Sequence, residues 1–276
     1  MKTWFITGIS RGFGLELARQ LIARGDTVIG TVRHGTPDIA PGAGALHVLT
    51  LDVTDRAAVA AVVDQAFALG PVDVIVNNSG YGLLGALEVA SDAEIDRLFA
   101  TNVFGTIAVI RAALPHLRQQ GFGHVVNISS IAGRAPSPGT SLYAATKFAI
   151  EGLSGSLAQE LAPFGVKVTV VAPGAFRTDF LSDHSIRKSG AADDAGYGAS
   201  VGQTLGALDA MAGRQIGDPA RGAAAMIAAV DAAEPPLHLL LGSDALRRAR
   251  AKLGAVIEEM DHWEAVTLGT DFPDGA

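Results

Sequence analysis

The chain has 276 residues, a length that fits one or two domains. Its 28 acidic against 21 basic side chains leave a net charge of −7, which argues against nucleic acid or an anionic membrane as the main partner. A cysteine count of 0 excludes disulfides, thiolate-bound zinc, iron–sulfur clusters and thiol catalysis, and 33 glycines call for tight turns and close backbone approaches.

Taken in chain order, short apolar runs alternate with helical patterns, the arrangement of βαβ units around a parallel sheet buried on both faces. Strands are expected at 2–6, 27–32, 45–50, 73–76, 123–128, 166–172 and 237–241. The first is followed by a glycine-rich turn and a helix in which Leu17 and Leu21, and Ala18 and Ile22, share faces. Ala58, Val59, Val62, Val63, Ala66 and Phe67 recur at helical spacing, and Ser91 with Glu94 forms a capping box before the next helix. Another helix starts near Leu142. The stretch 179–218 dissolves into Gly, Ala, Ser and Asp, reading as a functional loop or lid over a ligand. An amphipathic helix from about 244 to 261 precedes a loose tail after about 264. The expectation is one α/β domain over 1–276, a doubly wound parallel sheet of about seven strands flanked by helices. No apolar run approaches 18 residues, so a soluble, cytoplasmic protein is expected. The 7 histidines show no close ligand spacing, and no metal site is expected.

The turn reads Thr7-Gly8-Ile9-Ser10-Arg11-Gly12-Phe13-Gly14. Glycines there let the backbone approach a pyrophosphate, and the following helix N-terminus offers unpaired N–H groups and a partial positive charge. Gly8, Ser10, Arg11, Gly12, Phe13 and Gly14 are the candidate phosphate residues. A ribose-binding acid is expected at the end of the second strand, which instead reads Gly30-Thr31-Val32-Arg33-His34. Arg33 and Arg11 suit a 2′-phosphate, so NADP(H) is expected over NAD(H). Asp52-Val53 reads as an adenine-contacting pair, or Asp52-Val53-Thr54-Asp55 reads as the cap of the next helix.

With these residues in view, the sequence resembles the short-chain dehydrogenase/reductase family in its compact single-domain form. The turn matches T-G-x-x-x-G-x-G, Asn77-Asn78-Ser79-Gly80 resembles N-N-A-G with Ser for Ala, and Tyr143-Ala144-Ala145-Thr146-Lys147 fits Y-x-x-x-K. Ser130 precedes Tyr143 at the family's spacing, and Pro173-Gly174 with Thr178 matches the segment after the sixth strand. The likeness runs from about residue 2 to 180, and Thr101 to Gly105, Phe148 to Phe164 and Thr31-Val32-Arg33 lean toward the hydroxysteroid and retinol dehydrogenase branch.

The chemistry also follows from the residues. Tyr143 and Lys147 stand four apart, so a helix projects both from one face, and an ammonium beside the phenol is expected to favour the phenolate. Ser130 at the end of a central strand can donate to a substrate carbonyl, with Ser129 structural. The resemblance implies Ser130, Tyr143, Lys147 and Asn102 as catalytic residues, Asn102 linking the lysine to solvent through a water. It implies Asn78, Ser79, Gly80, Tyr143, Lys147, Pro173, Gly174 and Thr178 as cofactor contacts, Thr178 on the nicotinamide carboxamide.

The function expected is an NADPH-dependent carbonyl reductase or alcohol dehydrogenase on a small carbonyl or alcohol substrate. Its substrate walls are expected at Tyr81-Gly82-Leu83-Leu84, Ile131 to Ser141 and 179–218. An isomerase, epimerase or dehydratase using bound nucleotide, or a non-catalytic NADP(H) sensor, is the alternative. Helix 148–162, with Phe148, Leu153, Leu157, Leu161, Gly152 and Gly155, is expected to pair across a two-fold axis in a homodimer or homotetramer.

Overall fold

The computed structural model describes residues 1–182, 185–190 and 194–272. Its centre is a seven-stranded, all-parallel sheet ordered β3-β2-β1-β4-β6-β7-β9. The strands are β1 (Thr3–Ile6), β2 (Thr27–Val32), β3 (Ala45–Thr50), β4 (Val74–Asn77), β6 (Gly123–Ile128), β7 (Val166–Pro173) and β9 (His238–Leu241). A second, two-stranded parallel sheet pairs β5 (Gly82–Leu84) with β8 (Ile186–Lys188). The helices are α1 (Gly12–Arg24), α2 (Arg56–Ala68), α3 (Asp92–Phe99), α4 (Thr106–Gln120), α5 (Ser141–Leu161), α6 (Val201–Met211), α7 (Pro219–Asp231) and α8 (Ser243–Leu268).

Alternation along each strand fills both faces of the sheet. Trp4 and Ile6 point into a core with Leu17, Leu21 and Met226, the side covered by α1 and α7. Phe5, between them, points into the opposite core with Ile75, Val109 and Leu157, under α2, α4 and α5. Burying both faces explains why central strands such as Val74-Ile75-Val76 read as continuous apolar runs. Local signals close the helices: Gly25, at φ 97°, ends α1 in the left-handed region, Asp55 caps α2, and Ser91 with Glu94 forms the full capping box of α3. The joined helical stretch Asp92–Gln120 is long and apolar enough to cross a membrane, yet Leu98, Val109, Ala113 and Leu117 are buried in the fold.

The expected fold, an α/β doubly wound sheet of seven strands, is the one observed. Two local expectations differ. The stretch 179–218 is not loop throughout: it carries β8, which gains a partner edge in β5, and α6, whose Val201 and Leu205 bury against Leu84 and Ile186. Helix α8 runs seven residues beyond 261 to Leu268, into the expected tail; 273–276 lie outside the described residues. Within the lid, 183–184 and 191–193 also lie outside them.

Candidate active site

The order of the sheet reverses beside β1, which pairs with β2 on one side and β4 on the other, and such a switch point opens a crevice at the strands' carboxyl ends. Two loops meet there. Thr7 Oγ1 accepts from the backbone N–H groups of Asn78 and Ser79 at 3.0 and 3.1 Å, and Asn78 Nδ2 donates to the Thr7 and Gly8 carbonyls at 3.0 and 2.8 Å. Asn78 thus holds the turn. Gly14 packs so tightly that a Cβ would sit 2.1 Å from the Gly8 carbonyl oxygen, and Gly8 itself has φ +76° with the Ser79 hydroxyl 2.9 Å from where its Cβ would lie. Arg11 precedes α1 in extended conformation without a side-chain cap, and the first turn carries no acid. The helix therefore presents backbone donors and a positive dipole end to the crevice, the features a phosphate requires. The Phe13 ring turns away, stacking edge-on against Phe176 at 5.0 Å, which leaves only its backbone to the expected phosphate site.

At the far end of the crevice, β2 and β3 end side by side, bringing exposed Arg33 next to Asp52. Burial alone would raise the Asp52 carboxyl, but hydrogen bonds from Thr54 and the nearby Arg33 and His34 side chains bring it below its ordinary value. Asp55, not Asp52, caps α2; Asp52 instead accepts from the Thr54 N–H and hydroxyl at 2.9 and 2.8 Å. Buried Val53 packs where a Cβ on Gly105 would clash with it.

The catalytic candidates converge at the ends of β6 and β4. Tyr143 and Lys147 lie in the first turns of α5, each only 7% exposed. Ser130, just beyond β6, is near enough to the Tyr143 phenol to favour its ionised form, and its hydroxyl accepts from Ala132 N–H at 3.1 Å. Lys147 Nζ donates to the Ile128 carbonyl at 2.9 Å and sits 5.7 Å from the Tyr143 ring centre. Ser129 is structural, its N–H bonded to the Val171 carbonyl. The expected depression of the phenol by Lys147 is overturned. Burial pushes Tyr143 up to about 12 although the Ser130 hydroxyl pulls the other way, and burial pulls Lys147 down to about 8 against the attraction of Glu151. In this dry corner both groups resist charging, and desolvation is the largest cause of each shift.

The family model for short chain dehydrogenases matches residues 2–188. The chain belongs to the short-chain dehydrogenase family. It is 37% identical to oxidoreductase BOA17 of Botryotinia fuckeliana (strain B05.10), covering 98% of this chain and 99% of that protein. It is 39% identical to the retinol dehydrogenase 8 of Bos taurus over 65% of this chain and 60% of that one, in keeping with the branch toward which the sequence leans. Among solved structures, a short-chain dehydrogenase from Streptomyces avermitilis shares 40% identity at a TM-score of 0.88, covering 98% of this chain and 100% of that one. ElxO with NADP bound shares 25% identity at a TM-score of 0.71, covering 89% of this chain and 99% of ElxO. Nucleotide-dependent oxidoreduction is the function these likenesses support, and the glycine turn that Asn78 holds at the N-terminus of α1, with its backbone donors and no acid, fits the phosphates of a dinucleotide.

The remaining residues of this short-chain dehydrogenase site fall into place around that core. Asn102 lies in a π-helical turn, Ala100–Gly105, instead of the regular helix expected, and such turns often mark functional positions. Its amide brackets Tyr81, donating to the carbonyl at 2.8 Å and accepting from the N–H at 3.0 Å, and it also donates to the Thr146 hydroxyl at 3.2 Å. The side chain is thus spent on positioning Tyr81 and has no direct bond to Lys147 among the described residues. Gly80 lies between them, its Cβ position 3.2 Å from Asn102 Oδ1 and 3.7 Å from Lys147 Nζ. Pro173 ends β7; the Gly174 N–H bonds the Leu241 carbonyl, and a Cβ there would strike the Asp244 carboxylate at 2.3 Å. Thr178 lies 3.9 Å from the Cβ position of Gly12, closing the segment after β7 onto the phosphate turn, while its hydroxyl accepts from Phe180 N–H at 3.2 Å.

Sequence reasoning placed Phe180 in the 179–218 wall without its contacts and missed other contributors. Phe180 covers Tyr143, with ring centres 5.8 Å apart, and also reaches Gly82, so all three expected substrate walls meet at this ring. Asn77 Nδ2 donates to Asn127 Oδ1 at 2.8 Å, and Asn127 Nδ2 to Ser154 at 2.9 Å, a buried polar chain tying β4, β6 and α5 together behind the site. A polar residue at the end of each neighbouring strand was the available signal. Glu151, one turn beyond Lys147, pairs with Arg134 at 2.9 Å, and its spacing from Lys147 was legible in the sequence.

Proposed function

We propose that this short-chain dehydrogenase reduces the carbonyl of a ketone or aldehyde with NADPH, reversibly. The observation that carries this reading is the gathering of Ser130, a buried Tyr143 phenol held neutral up to about 12, and Lys147 one turn further along α5. When bound, the reduced nicotinamide supplies the hydride to the carbonyl carbon. The Ser130 hydroxyl orients the carbonyl and stabilises charge growing on its oxygen. Tyr143 gives that oxygen its proton; an alkoxide is a far stronger base than a phenolate, so the raised phenol still transfers downhill. Lys147 keeps one N–H on Ile128 and turns its remaining donors and charge toward the ribose and the phenolate left behind. Asn102 acts by fixing Tyr81 and Thr146.

Arg33, at the strand end where an acid would bind ribose hydroxyls, supports NADP(H) over NAD(H), with Arg11 contributing from the turn. Exposed Phe148, with open space around Gly152 and Gly155, supports pairing of α5 with that of a second copy. The cysteine-free composition supports a cytoplasmic location. The test is oxidation of NADPH and of NADH with aryl ketones, β-keto esters, quinones, steroids and retinal. The expected result is alcohol formed one-for-one with cofactor consumed, faster with NADPH. Substrate conversion without net cofactor consumption would replace the reductase by an isomerase.

A further inference from the structure

Helix α8 leaves the domain after two turns. Ala245 and Ala249 bury against Ile131 and Ala135, and Arg248 bonds the Ala135 carbonyl and, at 2.9 Å, the Ser137 hydroxyl. Beyond them the helix continues in solvent, yet it carries large apolar side chains: Leu253, Ile257, Met260 and Leu268 are 63%, 52%, 58% and 63% exposed. At 100° per residue, Leu246, Arg250, Leu253, Ile257, Met260, Glu264 and Leu268 fall on one narrow stripe, beside the face that grips the domain. A 4-3-4-3-4 spacing from 246 to 264 is that of a helix–helix seam.

The charges show what covers this stripe. After Asp244 in the first turn, Arg247, Arg248, Arg250 and Lys252 occupy the first half of α8, and Glu258, Glu259, Asp261 and Glu264 the second. That order opposes the helix dipole, which favours acids early and bases late, so α8 on its own has no use for it. Arg250 and Glu264 form no ion pair among the described residues. A second α8 laid antiparallel covers the stripe and pairs its charges, while Trp263 and Val266 lie off it. With the two-fold axis at Ile257, that residue meets its own copy, Leu246 meets Leu268, Arg250 meets Glu264 twice, and Leu253 and Met260 interdigitate one residue out of register. The net charge of the helix is slightly acidic, which disfavours an anionic lipid surface.

We propose that α8 is an antiparallel docking helix for a second copy of this chain, centred on Ile257. Residues 246 to 268 give a seam about 33 Å long, rooted through Arg248 in the 131–141 wall of the active site. This interface is independent of the pairing proposed for α5. The test is the solution mass of the full chain by light scattering at micromolar concentration, for wild type, Ile257→Asp, Arg250→Glu and Arg250→Glu/Glu264→Arg. Cofactor titration verifies that each variant is folded. Ile257→Asp is expected to halve the mass of the assembly, Arg250→Glu to weaken association by about tenfold, and the double variant to restore it, since only antiparallel pairing brings 250 against 264. A mass unaffected by Ile257→Asp overturns the proposal, as does a double variant no better than Arg250→Glu. Sedimentation with phosphatidylcholine/phosphatidylserine vesicles that Ile257→Asp abolishes while the mass stays constant would assign the stripe to a membrane instead.

Discussion

The two sides of the crevice are built by different means. The turn from Thr7 to Gly14 is held by backbone contacts that admit no side chain: Gly14 on the Gly8 carbonyl, Asn78 on both carbonyls beneath it, and Gly30 under Ile9, where a Cβ would lie 2.2 Å from the Ile9 side chain. The opposite side, from Phe180 through β8 to α6, is held by apolar side chains of Leu84, Ile186, Val201 and Leu205 on a small two-stranded sheet. The first arrangement fixes position and tolerates one residue type at each glycine. The second fixes only volume and polarity, which many sequences supply, so its shape can vary between relatives without disturbing the cradle.

This contrast is sharpened first by the largest effect. Tyr143→Phe removes the proton donor and keeps the ring against Phe180, so turnover is expected to fall by about 1,000-fold, within the range for general acid catalysis, with NADPH affinity unchanged. Gly14→Ala attacks the other side: its Cβ meets the Gly8 carbonyl, and cofactor affinity is expected to drop by well over tenfold while stability falls by roughly 1–3 kcal/mol, read by fluorescence titration and thermal melting. Arg33→Ala is expected to reduce the NADPH-over-NADH preference by about tenfold, since a charge-assisted hydrogen bond contributes about 1.5–3 kcal/mol.

How far each side was legible follows from the same contrast. Glycine at 8, 12 and 14, Asn at 78, and Tyr and Lys four apart are visible because backbone approach and proton transfer each demand a particular residue type. The seven sheet strands were found within a residue or two because both faces are buried and their apolar runs are unbroken. Strands β5 and β8 were not found, because three residues each leave too little pattern, and β8 exists only through its pairing with β5. Helix α6 was hidden by Gly202 and Gly206. The sign of the Tyr143 shift was misread for a different reason: residue spacing shows that Lys147 is near but not how dry the pair is, and burial decides the outcome.

That shift sets the pH behaviour, a smaller and more diagnostic effect. Tyr143, raised to about 12, stays protonated across the working range, so the phenol does not limit reduction. Lys147, lowered to about 8, loses its charge as pH rises through that value, and reductive kcat/KM is expected to fall above it. Glu151 favours the ammonium, so Glu151→Gln is expected to move this limb to lower pH. A limb that stays in place in Glu151→Gln would detach it from Lys147. Smallest of all, Phe180→Ala is expected to change KM for bulky carbonyls by a few-fold, leaving NADPH affinity untouched, because the ring covers Tyr143 without holding the cradle.

The most direct measurement is a side-by-side fluorescence titration of NADPH into Tyr143→Phe and Gly14→Ala, with turnover recorded on the same samples. The two sides predict opposite losses: wild-type affinity without turnover in Tyr143→Phe, and lost affinity in Gly14→Ala with turnover recovering as NADPH is raised. Wild-type turnover in Tyr143→Phe, or equal loss of NADPH affinity in both variants, would contradict the division of cofactor cradle and proton donor between the two sides.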